Sequence, residues 1–148
     1  MRKVHALTGG IHPPENKAQS LQQGIDELPL PRQVIIPLQQ SIGAAAKPIV
    51  SVGDKVLKGQ IIAEPDGYVS VAAHASTSGT VSAIGKHAVP HPSGMPQSCI
   101  IIDCDGEDRW IDHDGISDYR NAAEEPLLTL IRNSGITGMG GAGFPAAV

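Results

Sequence analysis

Turn signals cut the stretch between about residues 32 and 112 into pieces too short for anything but strands. Val34, Ile36 and Leu38 alternate with other residues, and Val50 and Val52 run into Gly53-Asp54. Val56 precedes Lys58-Gly59, with Ile61 and Ala63 beyond it, and Pro65-Asp66-Gly67 separates these from Val69, Val71 and Ala73. Ser78-Gly79 introduces Val81 and Ala83, a proline-rich loop covers Val89 to Pro96, and Ile100 and Ile102 end at Asp105-Gly106. Short alternating pieces at this spacing predict an all-β barrel or sandwich. Composition agrees: 17 glycines and 12 prolines in 148 residues are about a fifth of the chain, against roughly an eighth in average usage. Trp110, Tyr68, Tyr119 and Phe144 are the only aromatics, so the core must be aliphatic.

Three parts follow: an irregular arm over 1–31, the β domain over 32–116 and a connecting segment over 117–148. Pro13 and Pro14 forbid a helix at the centre of the arm, Lys17 to Leu21 has no clear period, and Pro29 and Pro31 close the arm. The last part changes period. Leu127, Leu128, Leu130 and Ile131 share a helical face. Pro126 suits the first helical position, Glu124 and Glu125 suit the positive end of the dipole, and Gly135 suits the stop. Such a helix, of ~8 residues, would be unstable alone and must pack on a neighbour.

That helix leads into Gly138-Met-Gly-Gly-Ala-Gly-Phe-Pro145. Glycines at 138, 140, 141 and 143 leave the backbone bare and free to take positive φ, so its N–H groups can turn around an anion. Gly138, Gly140, Gly141 and Gly143 are therefore the candidate cofactor-binding residues, contacting a nucleotide or flavin phosphate. A phosphate loop normally leads into a further helix or strand. With Val148 so close, the chain reads as cut inside a cofactor domain.

Other chemistry is sparse. Cys99 and Cys104 lie five residues apart in one apparent strand, on opposite faces and ~17 Å apart. That excludes a shared zinc and a disulfide. His87 and His91 have zinc-like spacing, with Asp103 and His113 as conceivable partners, but Pro90 and Pro92 prevent a helix from aligning them. His12 reads as a structural hydrogen-bonding residue. Asp103, Asp105, Glu107 and Asp108 read as a solvated acidic turn. A net charge of -4 argues against a nucleic-acid surface. No apolar run approaches a membrane span, and Arg2 and Lys3 are not followed by a signal-peptide core, so a soluble cytoplasmic protein is expected.

Val52-Gly-Asp-Lys-Val-Leu-Lys-Gly-Gln60, with Ala75-Ser-Thr-Ser-Gly-Thr-Val-Ser-Ala-Ile84, resembles the two halves of a biotinyl/lipoyl-type barrel-sandwich hybrid. The family's carrier lysine would sit on the hairpin matching Glu64 to Val69, which has no lysine. Lys58 lies on a different turn, so the module reads as structural.

The order of Gly9-Gly-Ile-His-Pro13 with Lys17, this barrel, Asp105-Gly-Glu-Asp108 and the glycine-rich loop resembles the N-terminal region of the RnfC/RsxC family, from the Rnf-type (Rsx) ion-translocating electron-transport complex. The loop is also similar to one in the flavin- and NADH-binding subunit of respiratory complex I. The resemblance implies a peripheral subunit on the cytoplasmic side of the inner membrane, partnered by the other subunits of the complex. It would take electrons from NADH through FMN and two [4Fe–4S] clusters, and the segment 117–148 would begin the flavin/NADH-binding domain. The cluster cysteines would lie outside this chain, Cys99 and Cys104 matching no ferredoxin-like run. No cofactor is expected to bind the fragment alone. The family loop continues Phe-Pro-Thr-Gly, whereas Ala146 and Ala147 follow Pro145 here; backbone contacts are unaffected. The barrel-bearing NqrA-type component of the sodium-pumping NADH–quinone reductase is the alternative family, and a carrier domain the alternative class.

Overall fold

The computed structural model describes residues 9–11, 13–113 and 115–148. The expectations for His12 and for Arg2 and Lys3 lie outside the described residues. Seven strands and one helix follow in order: β1 Gln33–Pro37, β2 Lys47–Pro48, β3 Lys55–Val56, β4 Ile61–Glu64, β5 Ala73–His74, β6 Gly79–His87, β7 Gln97–Cys104 and α1 Glu124–Asn133. They form a four-stranded sheet in the order β1-β7-β6-β3 and a three-stranded sheet in the order β2-β4-β5. Every pairing is antiparallel.

The core lies between the two sheets and is aliphatic. Ile36, Val56, Val81, Ile100 and Ile102 from the larger sheet meet Ile62, Ala63 and Ala73 from the smaller one. Ile62, Ile100 and Ile102 are fully buried. Each such side chain contributes about 1.5–3 kcal/mol relative to leaving it in water. All four aromatics are exposed instead.

The two motif halves pack against each other. Val56 of β3 sits opposite Gly79 of β6. Gly53 N–H donates to Val81 O and Val81 N–H to Asp54 O, both at 2.8 Å. Gly59 N–H donates to Ala75 O at 2.8 Å and Ala75 N–H to Gln60 O at 2.9 Å. The glycine turns therefore connect strands and also join one half to the other through backbone hydrogen bonds.

Local structure departs from the sequence pattern at three places. Val50 and Val52 are not in a strand, and neither are Val69 and Val71; β2 is the dipeptide before Ile49, and β5 starts at Ala73. Val71 is nonetheless buried, as are its neighbours Ser70 and Ala72, without ladder pairing. The helix is longer than expected, at 10 residues, and places Pro126 third instead of first. The missing N–H of Pro126 still costs nothing there, because the first four N–H groups of a helix have no intrahelical partner. Gly135 follows the helix with φ +66, as its stop position requires.

The arm carries no strand or helix among its described residues; a turn in it is closed by Leu21 N–H on Lys17 O at 3.0 Å.

Candidate functional site

Helix α1 presents the glycine-rich segment to the barrel. None of its residues is buried, so it is held by a few specific contacts. The Arg132 guanidinium donates to Gly67 O at the tip of the lysine-free hairpin. Behind it, Gly135 passes so close to β5 that a Cβ there would lie 2.6 Å from Ala72 O and 3.0 Å from the His74 ring. His74 is held below its ordinary value, first because it is half-buried and only then opposed by the Asn133 carbonyl. The hairpin that carries the lysine in carrier domains therefore serves here as a seat for α1.

After α1 the chain folds back on itself. Thr137 and Pro145 form an antiparallel bridge. Gly138 N–H donates to Phe144 O at 2.8 Å, and Ala146 N–H to Ile136 O at 2.9 Å. Pro145 is fully buried and anchors the returning arm. Gly141 and Gly143 take φ +65 and +66. The four candidate glycines thus lie in one closed hairpin, in two different states. The Gly138 N–H is already engaged, whereas from Met139 to Phe144 no N–H donates to any described residue. A Cβ on Gly140 or Gly141 would meet nothing within 4 Å, so the turn is open to an approaching group. A run of bare N–H groups in an open turn is an anion-binding concavity.

The acidic cluster is solvated at Asp103, Asp105 and Glu107, as expected of a turn, but its carboxylates are also paired. Asp108 pairs with the Lys58 ammonium, whose Nζ also lies 4.9 Å from the centre of the Trp110 ring. Asp105 accepts from the Ser78 hydroxyl at 2.7 Å and from Glu107 N–H at 2.9 Å. Asp103 accepts from Gln33 Nε2 at 2.7 Å. These carboxylates tie the end of β7 and the segment after it to β1, to Lys58 just beyond β3 and to the 76–78 bend. The missed signal is the cation: Lys58 occurs fifty residues earlier, and only the fold brings it to Asp108.

Thr77 Oγ1 and Asp108 Oδ1 are buried with no partner at full hydrogen-bond geometry, yet the Thr77 hydroxyl lies near enough to favour the ionised carboxyl. Asp108 is held below its ordinary value of 3.8, first by the Lys58 hydrogen bond and then by Thr77. Asp105 is lowered too, chiefly by Ser78. A carboxyl lowered by folding adds stability that is whole above its unfolded value and is lost as pH falls through its lower folded value. Asp108→Asn is therefore expected to lower stability at neutral pH, because Lys58 loses its partner. It should also lose less further stability than the parent as pH falls below about 4. Circular dichroism of acid unfolding checks this; parallel curves for the two proteins would contradict it.

The remaining candidate ligands are placed apart. His91 Nδ1 lies 2.8 Å from Ser93 Oγ, and His87 Nδ1 lies 3.1 Å from its neighbour's carbonyl, Ala88 O. Cys99 is fully buried and Cys104 half-buried, both as free thiols pushed up first by burial. Among the described residues no group of three or more His, Cys, Asp or Glu side chains could hold a metal ion. No described helix is long and apolar enough to cross a membrane.

A family described as the RnfC barrel sandwich hybrid domain matches residues 5–107, which include both sheets and the acidic cluster as far as Glu107. The chain belongs to the RnfC family. Its barrel is thus a barrel-sandwich hybrid, as the paired glycine turns implied. The C subunit of the ion-translocating oxidoreductase complex of Pseudomonas aeruginosa is 51% identical over 147 residues, covering 99% of this chain. The protein of the same name from Klebsiella pneumoniae is 50% identical over 143 residues, covering 97% of it. The chain spans 19% of the length of each of these RnfC relatives. These matches do not favour the sodium-pump or carrier alternatives.

Proposed function

We infer that this chain is the barrel and cofactor-loop portion of a peripheral electron-transfer subunit that draws electrons from NADH. The observation that carries the reading is the hairpin after α1. It offers unpartnered N–H groups from Met139 to Phe144, directly after a barrel of the RnfC family. The names of the relatives, subunits of an ion-translocating oxidoreductase complex, support a redox role and further subunits as partners.

In this reading Gly140, Gly141 and Gly143 receive a phosphate of FMN or NADH, with Gly138 closing the hairpin beneath it. The segment 117–148 begins the flavin/NADH-binding domain, and the whole subunit sits on the cytoplasmic side of the inner membrane. FMN would supply the step between the two-electron donor NADH and one-electron carriers. The residues described here fit the phosphate of such a group but not iron–sulfur clusters. A cluster needs converging thiolates, whereas Cys99 and Cys104 are far apart along one strand and burial keeps them protonated. The two [4Fe–4S] clusters are therefore assigned to the longer protein.

The test uses a full-length RnfC protein carrying this sequence and loaded with FMN. Anaerobic NADH should bleach the flavin band near its visible maximum within the mixing time of a stopped-flow experiment. A flavin-loaded protein that NADH leaves oxidised would contradict the reading.

A further inference from the structure

The glycine hairpin does not stand alone. Gly141 and Ala142 share a cleft of about 770 Å³ with two barrel loops, one at Gln39 to Ile42 and one from His91 to Gln97. No carboxylate lines it, although the chain carries 15 acidic residues. The groups that do line it include several donors. Ser93 N–H donates to His91 Nδ1 at 3.1 Å, and the Ser93 hydroxyl sits 2.8 Å from the same nitrogen. With Nδ1 used as an acceptor, the ring proton of neutral His91 resides on Nε2. The ring therefore keeps an N–H donor at Nε2. Gln97 is half-buried at the start of β7, and its carboxamide has no hydrogen-bond partner among the described residues. By contrast, the Gln39 and Gln40 amides are already committed to Gly43 O and Pro37 O, and so shape the loop.

The geometry points to a composite anion site, in which His91 and Gln97 of the barrel complete the phosphate cradle begun by the glycine hairpin. The ligand class is a phosphate ester, as in a flavin mononucleotide or a dinucleotide. The inference rests on the hairpin being the phosphate loop, and adds that the barrel is part of the cofactor site as well as its support. Backbone N–H groups alone provide dipoles; the His91 Nε2–H and the Gln97 amide add side-chain donors, whose hydrogen bonds to an anionic oxygen are charge-assisted. The absence of carboxylates is what such a site needs, because one acidic side chain in the cleft would repel the ligand.

The experiment titrates FMN, riboflavin and NADH into the full-length RnfC protein carrying this sequence, as parent, His91→Ala, Gln97→Ala and Gly141→Val. Loss of a charge-assisted hydrogen bond should weaken FMN or NADH by about tenfold in His91→Ala, and by less in Gln97→Ala. Riboflavin, which lacks the phosphate, should bind the parent and His91→Ala equally. Weakening of FMN alone assigns the mononucleotide phosphate to His91, and weakening of NADH alone assigns the dinucleotide. Unchanged FMN and NADH affinities in His91→Ala beside a weakened Gly141→Val would overturn the composite site and leave the hairpin reading standing. Unchanged affinities in both variants would overturn both. An equal loss of FMN and riboflavin in His91→Ala would show a general disturbance of the loop and also overturn the proposal.

Discussion

Gly79→Ala should unfold the barrel at temperatures where the parent is intact, while the same substitution at Gly85, six residues along the same strand, should raise stability slightly. Gly79 is buried where β6 meets both β3 and β7, opposite Val56 and Cys104. A Cβ built there would lie 2.2 Å from Asp103 O and 2.9 Å from Ile102 Cγ2. Neither neighbour can yield cheaply. Asp103 O belongs to the backbone of the central strand β7, and Ile102 is a fully buried core residue. Relief requires β6 and β7 to part where the two motif halves join. The cost is about 3 kcal/mol or more, at the upper end of overpacking penalties. For a domain near 100 residues that corresponds to a fall in Tm of roughly 15 °C. At Gly85 nothing lies within 4 Å of the added carbon, and the residue is exposed. Replacing a strand glycine there relieves backbone entropy worth roughly 0.5–1 kcal/mol. Thermal melts of the two variants, followed by far-ultraviolet circular dichroism, check both signs together. A Gly79→Ala protein as stable as the parent would show that the strands do not approach as described.

That contrast also marks what the sequence could convey. Ser78-Gly79 read as a turn, yet Gly79 opens β6 and is buried between two neighbouring strands, while Gly85 lies exposed in the same strand. The difference arises from β7, which reaches β6 only after the proline-rich loop. The strands themselves were legible wherever alternation coincided with ladder pairing, as at Ile36, Val81 and Ile100. They were overread at Val69 and Val71, where the sequence alternates but Ser70 to Ala72 are all buried outside any strand. Ser70, between them, accepts Asp66 N–H within the local turn and donates to Ala44 O, 26 residues away. The aliphatic core followed directly from the scarcity of aromatics.

The candidate site was legible in a different way. The glycine spacing announced a bare, turning backbone without revealing that Gly138 spends its N–H on Phe144. It also could not reveal that the turn faces two barrel loops. Likewise the acidic residues were visible, but their cation was not, because Lys58 and Trp110 meet only through a parallel bridge formed late in the chain. Local chemistry is written in adjacent residues; the partners that decide its role arrive from far along the sequence.

The second large effect concerns the hairpin. Gly141→Val places a β-branched residue at φ +65, a conformation that L side chains disfavour by about 1–2 kcal/mol. It also puts methyl groups into the open turn beside the bare N–H groups. Since a Cβ at this position touches nothing else in the chain, the barrel should keep its parent melting temperature. Damage should fall on the ligand alone. Losing the approach of one phosphate to several donors is expected to weaken binding by roughly 10- to 100-fold.

The most direct measurement is therefore an isothermal titration of FMN and of NADH into the full-length RnfC protein, parent and Gly141→Val, with a thermal melt of each. The account predicts affinity for at least one of the two ligands lowered at least about tenfold in the variant, with the barrel's transition unchanged. Equal affinities for both ligands in the two proteins would contradict it and show that the glycine hairpin does not hold the cofactor.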